Sequence, residues 1–179
     1  MRTVFVDVDT QIDFMFPSGA LYVPGAEKIV DKIAALNRYA IEHQLPLIST
    51  MDEHSENDPE FQLYPHHCVA GTLGQRKPAA TIVGQHFVTK QKLDCFTSPK
   101  MHELIAQFGA GRYVVYGVVT EICVRLAALG LLKTGARVEI VTDAVRSLSE
   151  QAASNWLAEF RAKGGILTQG PGSWSQDSV

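Results

Sequence analysis

The chain has 179 residues, of which 46% are hydrophobic and 20% charged, which is enough for one globular domain with a full-sized core. Its net charge of −3 and pI of about 6.0 argue against nucleic acid and an anionic membrane surface as partners. No apolar run approaches the length that crosses a bilayer, and the N-terminal segment lacks the apolar stretch of a signal peptide.

The three cysteines, Cys68, Cys95 and Cys123, are an odd number at irregular spacing, with no C-x-x-C pair. This pattern does not predict a disulfide framework, and it is typical of a reducing compartment in which thiols stay free. We therefore expect a soluble, cytoplasmic protein.

Apolar and β-branched runs alternate with segments of helical spacing along the chain. The runs predict six strands, at residues 3–8, 45–50, 86–89, 112–116, 138–141 and 166–168. Helices are predicted from about 26 to 41, from 98 or 99 to 108, from 120 to 132, and from a capping-box pattern at Ser147 and Glu150 to the stop at Gly164 and Gly165.

This alternation predicts a three-layer α/β/α fold with a central, mainly parallel six-stranded sheet in a single domain, residues 1–179. Residues 10–23 and 51–85 have no regular period and are expected to be loops, the second long enough to indicate a functional role. The polar tail, residues 170–179, is expected to be loose.

Residues whose side chains are suited to catalysis or metal binding follow the first four predicted strands. Asp9 follows the first strand, Asp52 and His54 the second, Lys90 the third, and Cys123 the fourth. Ligands of such sheets bind beyond the carboxyl ends of the strands, so the fold would bring these five residues to one edge.

Cys123 lies near the third position of the helix predicted from Thr120. Free N–H groups and the partial positive charge of a helix N-terminus favour thiolate over thiol, so Cys123 is a candidate nucleophile whose own N–H could stabilise an oxyanion. A cysteine on a helix is also commonly a small buried hydrophobe, and the residues alone leave that interpretation open. We interpret Cys68 and Cys95 in this second way.

Asp9 is a candidate general base that would later return its proton to a leaving amine. A positive charge on Lys90 would keep Asp9 ionised and favour the thiolate. The alternatives are an aspartate that caps loop N–H groups and a solvated surface lysine, and Lys92 competes closely with Lys90.

The segment after the second strand predicts a metal site. Asp52 and His54 are two residues apart at a strand end, so both side chains can face one side, and Glu60 and His67 follow in the long loop. Imidazole and carboxylate ligands together suit one divalent ion of Zn, Fe or Mn. Spacing cannot choose between His66 and His67, and polar loop residues that never meet would show the same pattern.

At this point the chain resembles the isochorismatase-like cysteine hydrolases, and within them the nicotinamidases. The segment from Asp9 to Phe14 is similar to their D-x-Q-x-D-F opening, and Gly117 with the segment Val118 to Val124 to their G-x-x-T-[DE]-x-C-V nucleophile turn. The strand that ends at Lys90, the D-x-H pair at Asp52 and the H-C-x-x-G-T stretch from His67 match further motifs in the same order. The resemblance runs from about residue 2 to residue 168.

The resemblance implies an amidohydrolase that converts nicotinamide to nicotinate and ammonia for NAD salvage. Cys123 would form a thioester, Asp9 would move the proton, and the N–H groups of Val119 and Cys123 would form the oxyanion hole. A cis peptide bond would join Val118 to Val119.

For the metal and the substrate, the resemblance implies Asp52, His54 and His67 as ligands, with the metal binding the pyridine nitrogen. Glu60 stands where many members use a further histidine. Phe14 and Tyr64, with Val119, would contact the ring of a small pyridine carboxamide, although ordinary core packing would also explain both aromatics. Relatives often form homo-oligomers, and the sequence identifies no interface.

Four other functions remain. A related cysteine amidase would act on carbamoyl or ureido compounds, although those relatives generally lack the metal ligands. True isochorismatases do not place a cysteine at the position of Cys123. A catalytically silent binding or assembly member has no need of Asp9, Lys90 and Cys123 together. In a purely metal-dependent hydrolase, Cys123 would be structural.

Overall fold

The computed structural model of this chain describes residues 2–170. Within that range, six strands form one sheet: β1 Thr3–Val8, β2 Leu47–Asp52, β3 His86–Lys90, β4 Arg112–Val118, β5 Arg137–Arg146 and β6 Ile166–Thr168. The expected loose tail, residues 170–179, lies outside the described residues apart from Gly170.

The α-helices of the described range are α1 Ile12–Met15, α2 Val30–Glu42, α3 Pro99–Phe108, α4 Arg125–Leu132 and α5 Glu150–Ala162. The helices α2 to α5 alternate with the strands, as the hydrophobic periodicity predicts. The helix α1 corrects the expectation that residues 10–23 are a loop, because a single four-residue turn is too short to show a hydrophobic period. A 3-10 turn at Ala26–Ile29 leads into α2, and a π-helical turn at Thr120–Val124 leads into α4. None of the described helices is long and apolar enough to span a membrane.

Every strand pair in the sheet is parallel, and the strand order is β3-β2-β1-β4-β5-β6. The chain builds outward from β1 through β2 to β3, then returns to place β4 on the other side of β1. The crevice of such a sheet lies where the order reverses, between β1 and β4 at their carboxyl ends. The three-layer α/β/α prediction is confirmed, and the sheet is parallel throughout the described residues.

The central strands are apolar because helices cover both faces of the sheet. Val4, Val6, Val114 and Val115 in β1 and β4 are completely inaccessible to solvent. Near-continuous runs of this kind are typical of parallel strands buried on both sides. The edge strand β3 alternates instead, with Val88 and Lys90 buried and Phe87 exposed.

The strand β5 is longer than predicted, because it continues beyond Val141 to Arg146. The register between β4 and β5 shifts between Val115 and Gly117, and Gly117 then pairs with Val145. The polar residues Thr142 and Asp143 obscure this second half in the sequence. The extension carries the chain to the same sheet edge as the end of β4.

The predicted capping box of Ser147 and Glu150 is wrong. Ser149 is the N-cap of α5, and its hydroxyl accepts a hydrogen bond from the N–H of Ala152 at 3.2 Å. The N–H groups of Leu148 and Ser149 are held by the carboxylate of Glu121 instead. These bonds keep residues 148 and 149 outside the helix, so that it begins at Glu150.

Candidate active site

The residues singled out at the strand ends lie together at one edge of the sheet. Asp9 directly follows β1, and Cys123 lies in the π-helical turn after β4. Asp52 and Lys90 are the last residues of β2 and β3, and they are register partners in neighbouring strands. Side chains at partner positions of a parallel pair point to the same face, which explains why this carboxylate and this ammonium meet.

Lys90 is the centre of the first cluster. Its Nζ lies 2.8 Å from Asp9 Oδ2 and 3.9 Å from Cys123 Sγ, and it donates a short hydrogen bond to Asp52 Oδ1. Lys90, Asp9 and Cys123 are all buried, whereas Lys92 is exposed. The structure therefore brings Lys90, and not Lys92, to Asp9 and Cys123.

Asp9 is fixed on both its backbone and its side chain. It has a φ of +49°, which is uncommon for a residue other than glycine. Its N–H donates to the carbonyl oxygen of Thr50 at 3.1 Å, and its Oδ1 accepts a hydrogen bond from the Thr50 hydroxyl at 2.6 Å. Oδ2 is thus the oxygen left to receive a proton on the side of Lys90.

The buried charges support one another. Burial lowers the pKa of Lys90, but the negative charges of Asp9, of Cys123 in its ionised form and of Asp52 outweigh this and hold the pKa well above its usual value. Burial raises the pKa of Asp9 above its usual 3.8, and Lys90 offsets only part of that rise. A charged lysine therefore stands beside a carboxylate that binds protons more strongly than an exposed aspartate does.

The state of Cys123 differs from the sequence-based expectation that the helix start and Lys90 favour a thiolate. Burial raises the pKa of the Cys123 thiol well above its usual 9.0, and the Lys90 charge lowers it only in part. The carboxylates of Asp9 and Asp52 raise it further. The thiol is consequently protonated at neutral pH, and a nucleophile forms only if a neighbouring base removes the proton.

The second cluster contains four possible metal ligands. His67 Nε2 lies 3.8 Å from both Asp52 Oδ2 and Glu60 Oε1, and His54 Nε2 lies 3.8 Å and 4.0 Å from the same two oxygens. Two atoms that share an ion at a bond length of about 2.1 Å are at most about 4.2 Å apart. Asp52, His54 and His67 therefore form a group that can hold one ion, and Glu60 Oε1 lies beside both imidazoles.

The imidazole rings are turned so that one nitrogen of each faces this cluster. His54 Nδ1 donates to Asp58 Oδ2 at 3.0 Å, and His67 Nδ1 donates to the carbonyl oxygen of Pro65 at 2.7 Å. In its neutral form, each ring held in this way presents on Nε2 the lone pair that a metal requires, and buried His54 Nε2 has no hydrogen-bond partner. The donor set fits a divalent cation.

The carboxylates around His54 also favour a cation at this site. Burial lowers the pKa of His54, but the carboxylates of Asp52, Asp58 and Glu60 outweigh this and raise it to about 9. The cluster thus favours positive charge at its centre. His66, the alternative to His67, is exposed and stacks on Phe61 with the ring centroids 4.3 Å apart.

The two clusters meet at Asp52. Its Oδ1 accepts the hydrogen bond from Lys90, while its Oδ2 faces the imidazoles of His54 and His67. Gln11 fixes the backbone of Asp52, because its side chain accepts from the Asp52 N–H at 2.7 Å and donates to the Asp52 carbonyl oxygen at 2.8 Å. The Asp52 carboxylate therefore contacts both clusters and fixes Lys90 close to the two imidazoles.

A cleft lies against both clusters. Asp9, Cys123, Asp52, Glu60 and His67 line its polar side. The rest of the wall is mainly apolar and includes the three predicted substrate contacts, Phe14, Tyr64 and Val119. The other residues of this wall are Leu21, Leu93, Val118, Ile122 and Leu148. The peptide bond between Val118 and Val119 is cis, as the resemblance implies. The space suits a small, flat, apolar molecule with one polar end.

Sequence reasoning missed three supporting residues. Thr50, which holds Asp9, reads only as part of a strand. Asp58 carries a recognisable signal, because it lies four residues after His54 and directly before Pro59. Leu148 gives no signal, since it reaches the cleft only through the extension of β5.

The chain is similar to known proteins in both sequence and structure. The chain matches the Isochorismatase domain over residues 3–170. The solved structure of the pyrazinamidase of Pyrococcus horikoshii in complex with zinc superposes with a TM-score of 0.88 at 29% identity, covering 94% of this chain and 99% of that one. PnC1 from L. infantum, solved in complex with nicotinate, gives 0.82 at 26% identity, covering 94% and 92%.

A relative by sequence is the protein of Arabidopsis thaliana called "Probable inactive nicotinamidase At3g16190". It is 20% identical over 189 residues, covering 98% of this chain and 96% of that protein. The family match spans nearly all of the residues that the structure describes, and the fold superposes closely on that of the zinc-bound pyrazinamidase. This chain therefore belongs to the isochorismatase domain family.

Proposed function

We propose that the chain is an amidohydrolase that converts nicotinamide, or a closely related pyridine carboxamide, to the carboxylate and ammonia. The observation that carries this proposal is the junction at Asp52. Asp52 contacts Lys90, in the buried group that also contains Asp9 and Cys123, and it belongs to the group of proposed metal ligands. Both groups border one mainly apolar cleft.

The proposed reaction begins at Cys123. Asp9 Oδ2 takes the thiol proton as Sγ attacks the carboxamide carbon, and the C–N bond breaks while Asp9 returns the proton to the departing ammonia. A water molecule then gives its proton to Asp9 and attacks the thioester, which releases the carboxylate and restores the thiol. Lys90 stays protonated and stabilises the ionised Asp9 and the forming thiolate. The N–H groups of Val119 and Cys123 are the proposed oxyanion donors.

The proposed ligands of one divalent ion of Zn, Fe or Mn are Asp52, His54, His67 and Glu60. When bound, the ion would hold the pyridine nitrogen of the substrate. Phe14 and Tyr64 would contact the faces or edges of the ring, and both line the cleft beside His67. The nicotinate complex of the L. infantum protein and the zinc complex of the P. horikoshii protein support this substrate class and this use of a metal.

The first test is ammonia release from nicotinamide by the purified, metal-loaded protein, with and without a chelator. We expect turnover that the chelator abolishes and that added metal restores. An absence of turnover by the metal-replete protein would refute the proposal, and an N-carbamoyl substrate in parallel would detect the related carbamoyl amidase activity.

A pair of cysteine variants then tests the nucleophile. Cys123→Ala should lower kcat by about three orders of magnitude or more while metal binding is retained. Cys95→Ala is the matched control, because Cys95 is also a buried free thiol but does not line the cleft. Appreciable activity in Cys123→Ala would instead support a purely metal-dependent hydrolase.

A further inference from the structure

Glu121 joins the nucleophile turn to the start of α5. It lies two residues before Cys123, within the turn Thr120–Val124. Its Oε1 accepts hydrogen bonds from the N–H groups of Leu148 at 2.9 Å and of Ser149 at 2.8 Å. Its other oxygen, Oε2, is buried without a hydrogen-bond partner. Both hydrogen bonds of this carboxylate are therefore made by one oxygen, and both hold the backbone at the start of α5.

The contact made by Glu121 is separate from the N-cap of α5. The Ser149 hydroxyl already caps α5 by accepting from the Ala152 N–H. Glu121 acts one step earlier, on the backbone of the two residues that precede the helix. Hydrogen bonds to a charged acceptor are among the stronger ones in proteins, so two of them fix this short segment firmly against the turn that carries Cys123.

Leu148 is the residue that this bond places. Its side chain lines the cleft together with Ile122 and Cys123, yet it is 43% exposed. A leucine that is so exposed is not locked in place by close packing on all sides. Its distance from Cys123 therefore depends on where its backbone is held, and Glu121 holds that backbone.

We propose that Leu148 is a specificity-determining wall of the cleft, and that Glu121 is the positioning residue that sets its distance from Cys123. The inference rests on the proposed function and adds a size limit to it. Small monocyclic carboxamides would reach the thiol, whereas fused or bulky rings would collide with Leu148.

The test compares kcat/KM for nicotinamide with kcat/KM for quinoline-3-carboxamide, which carries one additional fused ring. Leu148→Ala should lower the preference for nicotinamide by about tenfold, the scale on which an apolar pocket discriminates small changes of size. Glu121→Ala should lower it similarly by releasing the wall. The double variant should show little further change, because both substitutions remove the same barrier. Glu121→Gln keeps the chain length and an oxygen acceptor, and should restore most of the preference.

Two results would overturn the proposal: an unchanged preference in folded Leu148→Ala, or effects of the two single variants that multiply in the double variant. If Glu121→Ala fails to fold, Glu121→Asp takes its place, since it keeps the charge but shortens the reach by one methylene.

A second measurement needs no turnover and so separates this inference from the proposed function. Alkylation of Cys123 by iodoacetamide and by its N-benzyl derivative reports access to the thiol directly. We expect Leu148→Ala and Glu121→Ala to raise the relative rate of the bulky reagent by several-fold. An unchanged ratio in both variants would refute the wall even if nicotinamide is hydrolysed. A raised ratio would support it even if nicotinamide is not.

Discussion

At the scale of single residues, burial decides the chemistry of the candidate site. Lys90, Asp9 and Cys123 are almost entirely inaccessible to solvent, so each charge depends on its neighbours and not on water. Lys90 stays protonated because carboxylates surround it, and the Cys123 thiol keeps its proton mainly because it is buried, with Asp9 and Asp52 adding to the effect. The resting arrangement is therefore a neutral thiol beside an ion pair, poised for transfer of one proton to Asp9.

This arrangement predicts how Cys123 reacts with iodoacetamide as the pH changes. Because burial raises the pKa of the thiol above 9.0, the thiolate fraction should be small at neutral pH. The alkylation rate should therefore still be rising with pH at and beyond pH 9. Mass spectrometry of the modified peptide measures the rate, with Cys123→Ala as the blank. A rate that is flat between pH 6 and 9 would instead mean a preformed thiolate.

The proposed metal site yields a second prediction for single residues. Asp58 accepts the hydrogen bond from His54 Nδ1, and such partners typically contribute 10–100-fold to metal affinity, so Asp58→Asn should weaken zinc binding by about that factor. His66→Ala is the control, because His66 is exposed and its ring stacks on Phe61, whereas His67 is buried beside Asp52. Competition with a zinc indicator measures both. Equal losses in the two variants would contradict the assignment of His67 over His66.

At the scale of elements, the carboxyl ends of β1 and β4 form the floor of the site. Gly117 in β4 has a φ of +116°, and a Cβ on it would lie 2.1 Å from the carbonyl oxygen of Val8. Only glycine allows the two strands to approach this closely beside Asp9 and Cys123. The close approach of β1 to β4 thus explains why the chain has glycine at position 117, directly before the nucleophile turn.

Gly117→Ala should therefore destabilise the protein by about 2 kcal/mol or more, because it combines a disfavoured φ with a clash against backbone. Gly109→Ala is the matched control. Gly109 also has a positive φ, at the end of α3, but a Cβ there meets nothing within 4 Å. Its cost should stay near that of the φ alone, about 1 kcal/mol. Urea unfolding of both variants gives the comparison, and equal losses would argue against the close approach.

At the scale of the whole molecule, a second buried ion pair connects the sheet to the long loop. Lys77 Nζ lies 3.1 Å from Asp7 Oδ2 and donates to the Thr10 hydroxyl at 2.6 Å. Asn37 in α2 and Ser49 in β2 also donate to Asp7 Oδ2. The pair thus fastens the loop between β2 and β3 to three other parts of the fold, close to the turn that carries Asp9.

Removing one partner of such a pair leaves a buried charge without compensation, which typically costs about 3–5 kcal/mol. We expect Lys77→Met to destabilise the protein by about that amount. Lys92→Met is its control, because Lys92 is exposed and its loss should change the stability by no more than about 0.5 kcal/mol. Denaturant unfolding monitored by circular dichroism measures both, and a loss below about 1 kcal/mol for Lys77→Met would mean that water or another group satisfies Asp7.

The alternation of strands and helices could be predicted from the sequence, because buried parallel strands require apolar runs and covering helices require a periodic apolar face. The meeting of Asp9, Asp52, Lys90 and Cys123 could be predicted as well, because the carboxyl ends of parallel strands share one edge. The interpretation of residues 1–179 as a single domain stays a prediction.

The choice between neighbours such as His66 and His67, or Lys90 and Lys92, required the folded chain, since local spacing cannot say which side chain faces inward. The protonated state of Cys123 and the place of Leu148 in the cleft required it as well. The physical reason is common to all of these cases. Burial, partner distance and the shifted register of β5 arise from contacts between segments that are far apart in the chain, and no local pattern of residues encodes them.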